Sequence, residues 1–121
     1  MQAEIEAKRE YLNGLSNIVL GAAIRVHKEM GPGLLEGVYQ HCMTKELRTR
    51  GISISQGVPV ALCYKGEPLK KDYVIDLLVE SEIIIELKAV EGILPVHEAQ
   101  ILSYLKLADK RLGFLINFKS Q

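Results

Sequence analysis

The segment Asp72–Val90, DYVIDLLVESEIIIELKAV, decides the fold. It reads as two apolar strands, each of which carries an acid where a buried strand ordinarily carries none. Valine, isoleucine and leucine, which favour strands, surround Asp76, Glu86 and Lys88. Charged side chains are almost never buried without a partner or a metal ion. The segment therefore predicts a β-hairpin with a polar site built on it.

The register of this hairpin decides whether the three charged residues meet. Glu86 and Lys88 are two residues apart, so both project from one face of the second strand. Asp76 joins them only if the residue numbers of opposed positions add up to an even number. A two-residue loop would place Asp76 opposite Ile85, because a one-residue slip sends every side chain to the other face. We therefore expect an odd-numbered loop, such as one that takes in residues 80 to 82, or a bulge.

Length and composition are those of one globular domain. The chain has 121 residues, of which 48% are hydrophobic and 25% charged, so we expect a single domain over residues 1–121, with 1–11 as a frayed or helical lead-in. Lys+Arg and Asp+Glu both number 15, which gives zero net charge. This balance argues against tight non-specific binding to nucleic acid, which depends on neutralising phosphates. A local basic patch is compatible with it.

The sequence predicts a cytoplasmic protein. Its first ten residues, MQAEIEAKRE, are charged and do not resemble a signal peptide, and no apolar run approaches the roughly 20 residues of a membrane span. Cys42 and Cys63 lie in apolar surroundings and lack metal-ligand spacing. We interpret both as reduced thiols in the core.

Apolar residues at three- and four-residue spacing predict three helices. The first ends near residue 30 and is expected to be largely buried, because Leu20 and Ile24 extend its apolar surface. The second runs from about Leu35 to Arg50, and the third begins at Pro95, whose missing N–H is tolerated in a first turn. The residues expected in the core are, on the second helix, Leu35, Val38, Cys42, Met43 and Leu47 and, on the third, Ile101, Leu102, Leu105 and Ala108.

A period of two predicts the strands. From Ile52 to Tyr64 apolar residues alternate with small or polar ones, which indicates a half-buried strand interrupted or bulged at Gly57 and Pro59. A turn at residues 65–67 leads from it into the acid-bearing hairpin, and residues 112–118 form a last buried strand. The order is helix, helix, three strands, helix, strand. This order predicts an α/β domain with a mixed sheet.

Three motifs in the sequence resemble those of a known family. They are Gly33-Leu-Leu-Glu36-Gly-Val-Tyr39, Asp76 followed by Glu86-Leu-Lys88, and Gln100 four residues before Tyr104. The first resembles the signature of the GxxExxY protein family. The second and third resemble the core of the PD-(D/E)xK nuclease superfamily, to which that family is assigned, although Ile75 stands where the motif's name has proline. The resemblance covers residues 15–118 and implies a restriction-endonuclease-like core of three antiparallel strands, a helix and a further strand, preceded by N-terminal helices.

The resemblance also implies roles for individual residues. Asp76 and Glu86 would bind a divalent cation, Mg²⁺ or Mn²⁺ in its place, with the backbone carbonyl of Leu87 nearby. Glu36 would supply a further acid, and Lys88 would orient or help to deprotonate the attacking water. Lys88 beside two acids is expected to carry its charge, which favours an electrostatic role over proton transfer. The supporting or substrate-binding candidates are Gln100, Tyr104, Tyr39 and His97.

Two functions follow from this resemblance. The first is a metal-dependent nuclease that hydrolyses phosphodiester bonds of DNA or RNA. Such a small, neutral domain offers little surface for a duplex, so we expect a homodimer or a protein partner, and no membrane. The second is a non-catalytic module that retains the fold and binds nucleic acid or protein. The full set of charged residues favours the nuclease, whereas zero net charge and the absence of a recognition domain favour the module.

Each candidate residue also has an ordinary structural explanation. Glu86 and Lys88 would then form a surface salt bridge worth about 0–1 kcal/mol. Asp76 would end the hairpin or cap a neighbouring element. Glu36 fits the first turn of a helix, where the helix dipole favours acid. Core packing, helix-to-sheet contact or surface solvation would explain Tyr39, His97, Gln100, Tyr104 and the basic residues Lys70, Lys71, Lys106, Lys110, Arg111 and Lys119.

Overall fold

The chain forms three helices and four strands in the computed structural model, which describes residues 2–118 except for the side chain of Lys71. Their order confirms the predicted succession of helix, helix, three strands, helix, strand. The elements are α1 (Gln2–Met30), α2 (Glu36–Thr49), β1 (Ile54–Tyr64), β2 (Glu67–Val79), β3 (Ile83–Lys88), α3 (Pro95–Ala108) and β4 (Leu112–Asn117). Lys119 and the side chain of Lys71 lie outside the described part of the chain. Among residues 2–118, no helix has the length and apolar character needed to cross a membrane.

The four strands form one mixed sheet in the order β1-β2-β3-β4. The first three are antiparallel, and α3 is the crossover that brings β4 parallel to β3. Leu77 pairs with Ile85 and Val79 with Ile83, so the loop between β2 and β3 takes in residues 80 to 82. The predicted odd-numbered loop is confirmed. Ser81 in this loop has a left-handed backbone, with φ of 58°.

The main core lies between one face of the sheet and the two N-terminal helices. A single stripe of α1 enters it, and Leu20 and Ile24 are 44% and 58% exposed, so the expectation of a largely buried first helix is wrong. An apolar residue outside the stripe has no neighbour to pack against. The core cluster comprises Leu12, Leu15, Val19, Ala22, Ala23, Val26, Tyr39, Met43, Leu47, Leu77, Val79, Ile83, Ile85, Leu87 and Phe118.

The predicted core face of α2 is partly wrong. Met43 and Leu47 are fully buried as expected, but Leu35 is 80% exposed because the helix begins only at Glu36 and leaves it at the N-cap position. Val38 is exposed as well. Tyr39 takes the buried position that the pattern assigned to Val38, so the start of the buried stripe is displaced by one residue.

The opposite face of the sheet is covered by α3. Ile84 is fully buried outside the main core cluster, and its partner in β4 is Gly113. A Cβ atom on Gly113 would lie 3.1 to 3.3 Å from side-chain carbons of Ile101 and Leu105, so the helix passes close to the strand here. Only Ile101 of the four predicted α3 core residues is buried, and Leu102 is exposed.

Two further expectations about β1 and the cysteines need correction. Gly57 leaves the regular pairing and has a left-handed φ of 58°, but Pro59 pairs with Val74, and the register shift falls between Ala61 and Cys63. Cys63 is exposed, because β1 is an edge strand whose far end lies beyond the core. The other thiol, Cys42, is half-buried against the core, and both cysteines are free.

The close approach of α3 to β4 gives a stability prediction. Gly113→Ala places a methyl group against two packed side chains, and we expect it to lower the free energy of unfolding by about 1–3 kcal/mol. Gly14→Ala is the matched control, because nothing lies within 4 Å of a Cβ atom there. Because Gly14 lies in the interior of α1, Gly14→Ala should raise the free energy of unfolding by about 0.5–1 kcal/mol. Urea unfolding of both variants measures the difference, and a neutral Gly113→Ala would contradict the packing described.

Candidate functional site

The candidate site lies where β2 and β3 separate. The last pair of the ladder on this side is Leu77 with Ile85, and the same register places Asp76 opposite Glu86. Beyond this pair, side-chain oxygens accept hydrogen bonds from backbone N–H groups that would otherwise bond to the neighbouring strand. The Leu87 N–H donates to Asp76 Oδ2 at 2.9 Å, and the Asp76 N–H donates to Glu86 Oε1 at 3.4 Å. Each acid therefore satisfies a backbone donor that the ladder has released, and both carboxylates are fixed in place.

The two carboxyl groups are buried enough to favour a proton. Glu86 is 7% exposed, and this burial raises the pKa of its carboxyl group to about 7. Of the smaller effects on this pKa, the hydrogen bond from the Tyr73 hydroxyl lowers it and the charge of Asp76 raises it. Burial also raises the pKa of Asp76, while the Leu87 N–H and the charge of Lys88 lower it. Glu86 is therefore partly protonated near neutral pH.

Tyr73 is a site residue that the sequence analysis missed. Its hydroxyl donates a hydrogen bond to Glu86 Oε1, and its ring stacks on Tyr104 of α3 at an interplanar angle of 16°. Burial and the hydrogen bond to Glu86 raise the pKa of Tyr73, so its hydroxyl stays a donor. Burial, followed by the charges of Glu86 and Asp76, raises the pKa of Tyr104 as well. Strict alternation along β2 puts Tyr73 and Asp76 on opposite faces, so the period of two offered no signal for this contact.

Lys88 lies beside the two acids without binding either of them directly. Its side chain is half-buried, and its charge lowers the pKa of both Asp76 and Glu86. It takes part in none of the ion pairs in residues 2–118. A surface salt bridge between Glu86 and Lys88 is therefore not the arrangement found. A charge held near two acids, yet unpaired, is available to a third anionic group.

The start of α2 reaches the site from the other side. Glu36 is exposed, and its Oε1 accepts a hydrogen bond from the Ala89 N–H at 3.2 Å, just past the end of β3. Its charge raises the pKa of Asp76. One turn further, Gln40 Nε2 donates to the Asp76 carbonyl at 3.2 Å. The four-residue spacing from Glu36, which puts both on one helical face, is the signal that could have found Gln40.

The remaining predicted residues are Tyr39, which lies in the core, and His97 and Gln100, which lie on α3. Tyr39 has no exposed surface, and its hydroxyl donates to the Gly31 carbonyl at 2.6 Å and accepts from the Leu34 N–H at 3.1 Å. It is a core residue with no exposed surface, which agrees with its ordinary explanation of core packing and leaves a supporting role as a prediction. His97 Nδ1 accepts from the Leu94 N–H at 3.0 Å and caps the start of α3. Gln100 is exposed on the same helix.

The acids form a pair and not the predicted trio. In residues 2–118, no three His, Cys, Asp or Glu side chains lie close enough together to hold a metal ion. Glu36 is near Asp76 electrostatically but is bonded to the backbone of Ala89. The donor chemistry of Asp76 and Glu86 nevertheless fits Mg²⁺, which prefers carboxylate oxygens and keeps several waters. A cation would also offset the charge of Asp76, which raises the pKa of Glu86.

These features define a class of protein. A mixed sheet of three antiparallel strands and a parallel fourth carries one acid on its second strand, and an acid and a lysine two residues apart on its third. A family model described as the PD-(D/E)XK nuclease superfamily matches residues 13–121, and the chain belongs to that superfamily. The restriction-endonuclease-like fold expected from the sequence is thereby confirmed. No curated protein and no solved structure gives a significant match.

The raised pKa of Glu86 predicts how stability depends on pH. Between its ordinary value and about 7 the folded protein holds a proton that the unfolded chain has lost, so stability falls as pH rises through this range. In EDTA we expect the wild type to lose about 1–2 kcal/mol from pH 5 to pH 8, after allowance for solvent access. Glu86→Gln should remove most of this loss. Exposed Glu67→Gln should keep the wild-type dependence, and an equal slope for Glu86→Gln would refute the assignment.

The hydroxyl of Tyr73 gives a second prediction. Its hydrogen bond lowers the pKa of Glu86, so Tyr73→Phe should raise that pKa above about 7 while keeping the ring stacked on Tyr104. Carbon-detected NMR titration of the Glu86 carboxyl measures it directly. Tyr104→Phe is the control and should shift the Glu86 pKa much less. A Glu86 pKa that falls in Tyr73→Phe would be inconsistent with this hydrogen bond.

Proposed function

We propose that the protein is a divalent-metal-dependent nuclease that hydrolyses phosphodiester bonds of DNA or RNA. The observation that carries the proposal is the Asp76–Glu86 pair, two opposed and largely buried carboxyl groups with the unpaired charge of Lys88 beside them. Membership of the nuclease superfamily supports nuclease activity in general. The motif residues Gly33, Glu36 and Tyr39 support placement in the GxxExxY family within it.

Asp76 and Glu86 are the proposed ligands of Mg²⁺ or Mn²⁺. The backbone carbonyl of Leu87 is a further proposed ligand, and Glu36, which is exposed and near Asp76, would contribute an acid. A bound divalent cation supplies positive charge that polarises the scissile phosphate and makes water a stronger acid. Glu86 has to lose its proton before it can bind a cation, so the affinity for the cation should rise with pH up to about 7.

Hydrogen bonds and a ring contact within the protein fix the positions of Asp76 and Glu86. The Leu87 N–H fixes the carboxylate of Asp76, and Gln40 fixes its carbonyl. The Tyr73 hydroxyl holds the carboxylate of Glu86 in position, and Tyr104 supports Tyr73 through ring stacking. Fixed groups of this kind avoid reorganisation when charge develops in the reaction.

Lys88 would act on the substrate electrostatically. Its charge lies close enough to both acids to lower their pKa values, and it is in no ion pair in the described part of the chain. A phosphodiester in the site would therefore meet an available cation where negative charge accumulates in the transition state. Gln100, exposed on α3, and Tyr104, half-buried on the same helix, would contact the substrate backbone.

A non-catalytic binding module is less favoured, because specific contacts hold both acids and the lysine lies beside them. DNA or RNA as the substrate class follows from the superfamily. A homodimer or a protein partner, expected from the small size of the domain, stays a prediction.

A plasmid-nicking assay in Mg²⁺ or Mn²⁺ tests the proposal. Asp76→Ala and Lys88→Ala should each lower the nicking rate by about 100-fold or more, because the first removes a proposed ligand of the cation and the second a positive charge beside the reacting phosphate. Lys106→Ala, which removes an exposed lysine from α3, is the matched control and should nick like the wild type. Thermal melting checks that the variants fold, and Asp76→Asn provides a milder replacement.

Three results would count against a nuclease. Nicking that survives both Asp76→Ala and Lys88→Ala would identify a contaminating enzyme as its source. Nicking that persists in EDTA would exclude dependence on a divalent cation. No nicking by the folded wild type in either metal, on plasmid or on RNA, would favour the binding module.

A further inference from the structure

A polar groove of about 530 Å³ lies between α2 and β1, apart from the acid pair. Its lining contains two permanent cations, a histidine, two hydroxyls and an amide, and none of the lining residues is a carboxylate. Zero net charge over the chain conceals this local excess of positive charge. The lining residues are His41, Thr44, Lys45, Arg48 and Thr49 of α2 and Gln56 of β1.

The positive charges of the groove are aligned and unpaired. His41, Lys45 and Arg48 are spaced by four and three residues, which puts them on one face of α2. Neither Lys45 nor Arg48 takes part in an ion pair in residues 2–118. The acid of the same helix that lies between them in sequence, Glu46, is bound by Arg50 at 3.0 Å. The groove therefore keeps its charge for an external anion.

The groove and the candidate site share two elements. On α2, Gln40 donates its hydrogen bond to the Asp76 carbonyl, and the next residue, His41, lines the groove. On the sheet, Gln56 lines the groove and pairs with Leu77, which directly follows Asp76. The helix α2 and the paired strands β1 and β2 therefore connect the groove to the backbone of Asp76.

We infer that this groove binds the phosphate backbone of the nucleic-acid strand that is cut at the acid pair. The choice of nucleic acid as partner rests on the proposed function. The seven helical steps from His41 to Arg48 span about 10.5 Å. Phosphates follow one another at about 3.4 Å along the axis for one strand, so the row of side chains spans about three phosphate spacings. Basic grooves that track the backbone are the usual means of binding a strand without reading its sequence.

Binding in EDTA tests this inference without cleavage. The probes are a fluorescein-labelled 20-nucleotide DNA strand and the corresponding 20-base-pair duplex, followed by fluorescence anisotropy over a series of salt concentrations. Lys45→Gln with Arg48→Gln should weaken binding by about tenfold at low salt. It should also reduce the slope of log K against log salt by about 1.4 for the strand or about 1.8 for the duplex. Lys45→Arg with Arg48→Lys keeps both charges and should bind like the wild type.

Lys28→Gln with Lys106→Gln is the matched control, because it removes the same total charge from two exposed positions on other helices. Equal weakening by this pair would show a general charge effect and overturn the inference. Wild-type affinity and slope in the groove variant, or no binding of either probe by the wild type, would also overturn it. The single variants should each reduce the slope by about 0.7–0.9, which gives a second reading if the double variant folds poorly.

The two proposals fail separately. A wild type that binds through the groove but never nicks a plasmid would contradict the nuclease and leave the groove standing. A wild type that nicks in Mg²⁺, while the groove variant binds as well as it does, would contradict the groove and leave the nuclease standing.

Discussion

Two acids that face each other at the end of a β-ladder are the constraint on which the rest of this structure depends. Burial raises the pKa of both carboxyl groups, and the charge of Asp76 raises that of Glu86 further, so Glu86 keeps a proton up to a pH of about 7. The three-residue loop after β2 sets the register that opposes them. With a loop one residue shorter, Asp76 would face away from Glu86 and the site would not exist.

The surrounding elements hold this unfavourable arrangement in place. The first turns of α2 bring Glu36 and Gln40 to it, and α3 supports it through the stacked pair Tyr104 and Tyr73. Past Lys88, the side chain of Asn117 accepts from the Val90 N–H at 3.1 Å and donates to the Val90 carbonyl at 2.9 Å. The parallel strand β4 therefore does more than extend the sheet, because it anchors the segment that follows the catalytic candidates. Instability at the acids is balanced by packing elsewhere, as is usual at functional sites.

Much of this arrangement could be predicted from the sequence, because the acids interrupt strongly apolar strands and only one parity of register brings them together. The order of elements and the mixed sheet followed from periodicity. At the start of α2 the sequence pattern predicted Leu35 and Val38 as core residues, and Tyr39 is buried instead. Leu35 and Val38 are apolar but have nothing to pack against. Tyr73 was missed because its contact depends on where its hydroxyl reaches and not on strand alternation. The groove at Lys45 and Arg48 depends on how α2 lies against β1, which no local pattern encodes.

Calorimetric titration with Mn²⁺ near pH 6.5, in two buffers of different ionisation enthalpy, tests the central claim most directly. If a cation displaces the proton of Glu86, the wild type should show one saturable binding event that releases protons into the buffer, and Asp76→Asn should lose it. Binding without proton release, or binding of equal strength in Asp76→Asn, would show that the acid pair is not the metal site.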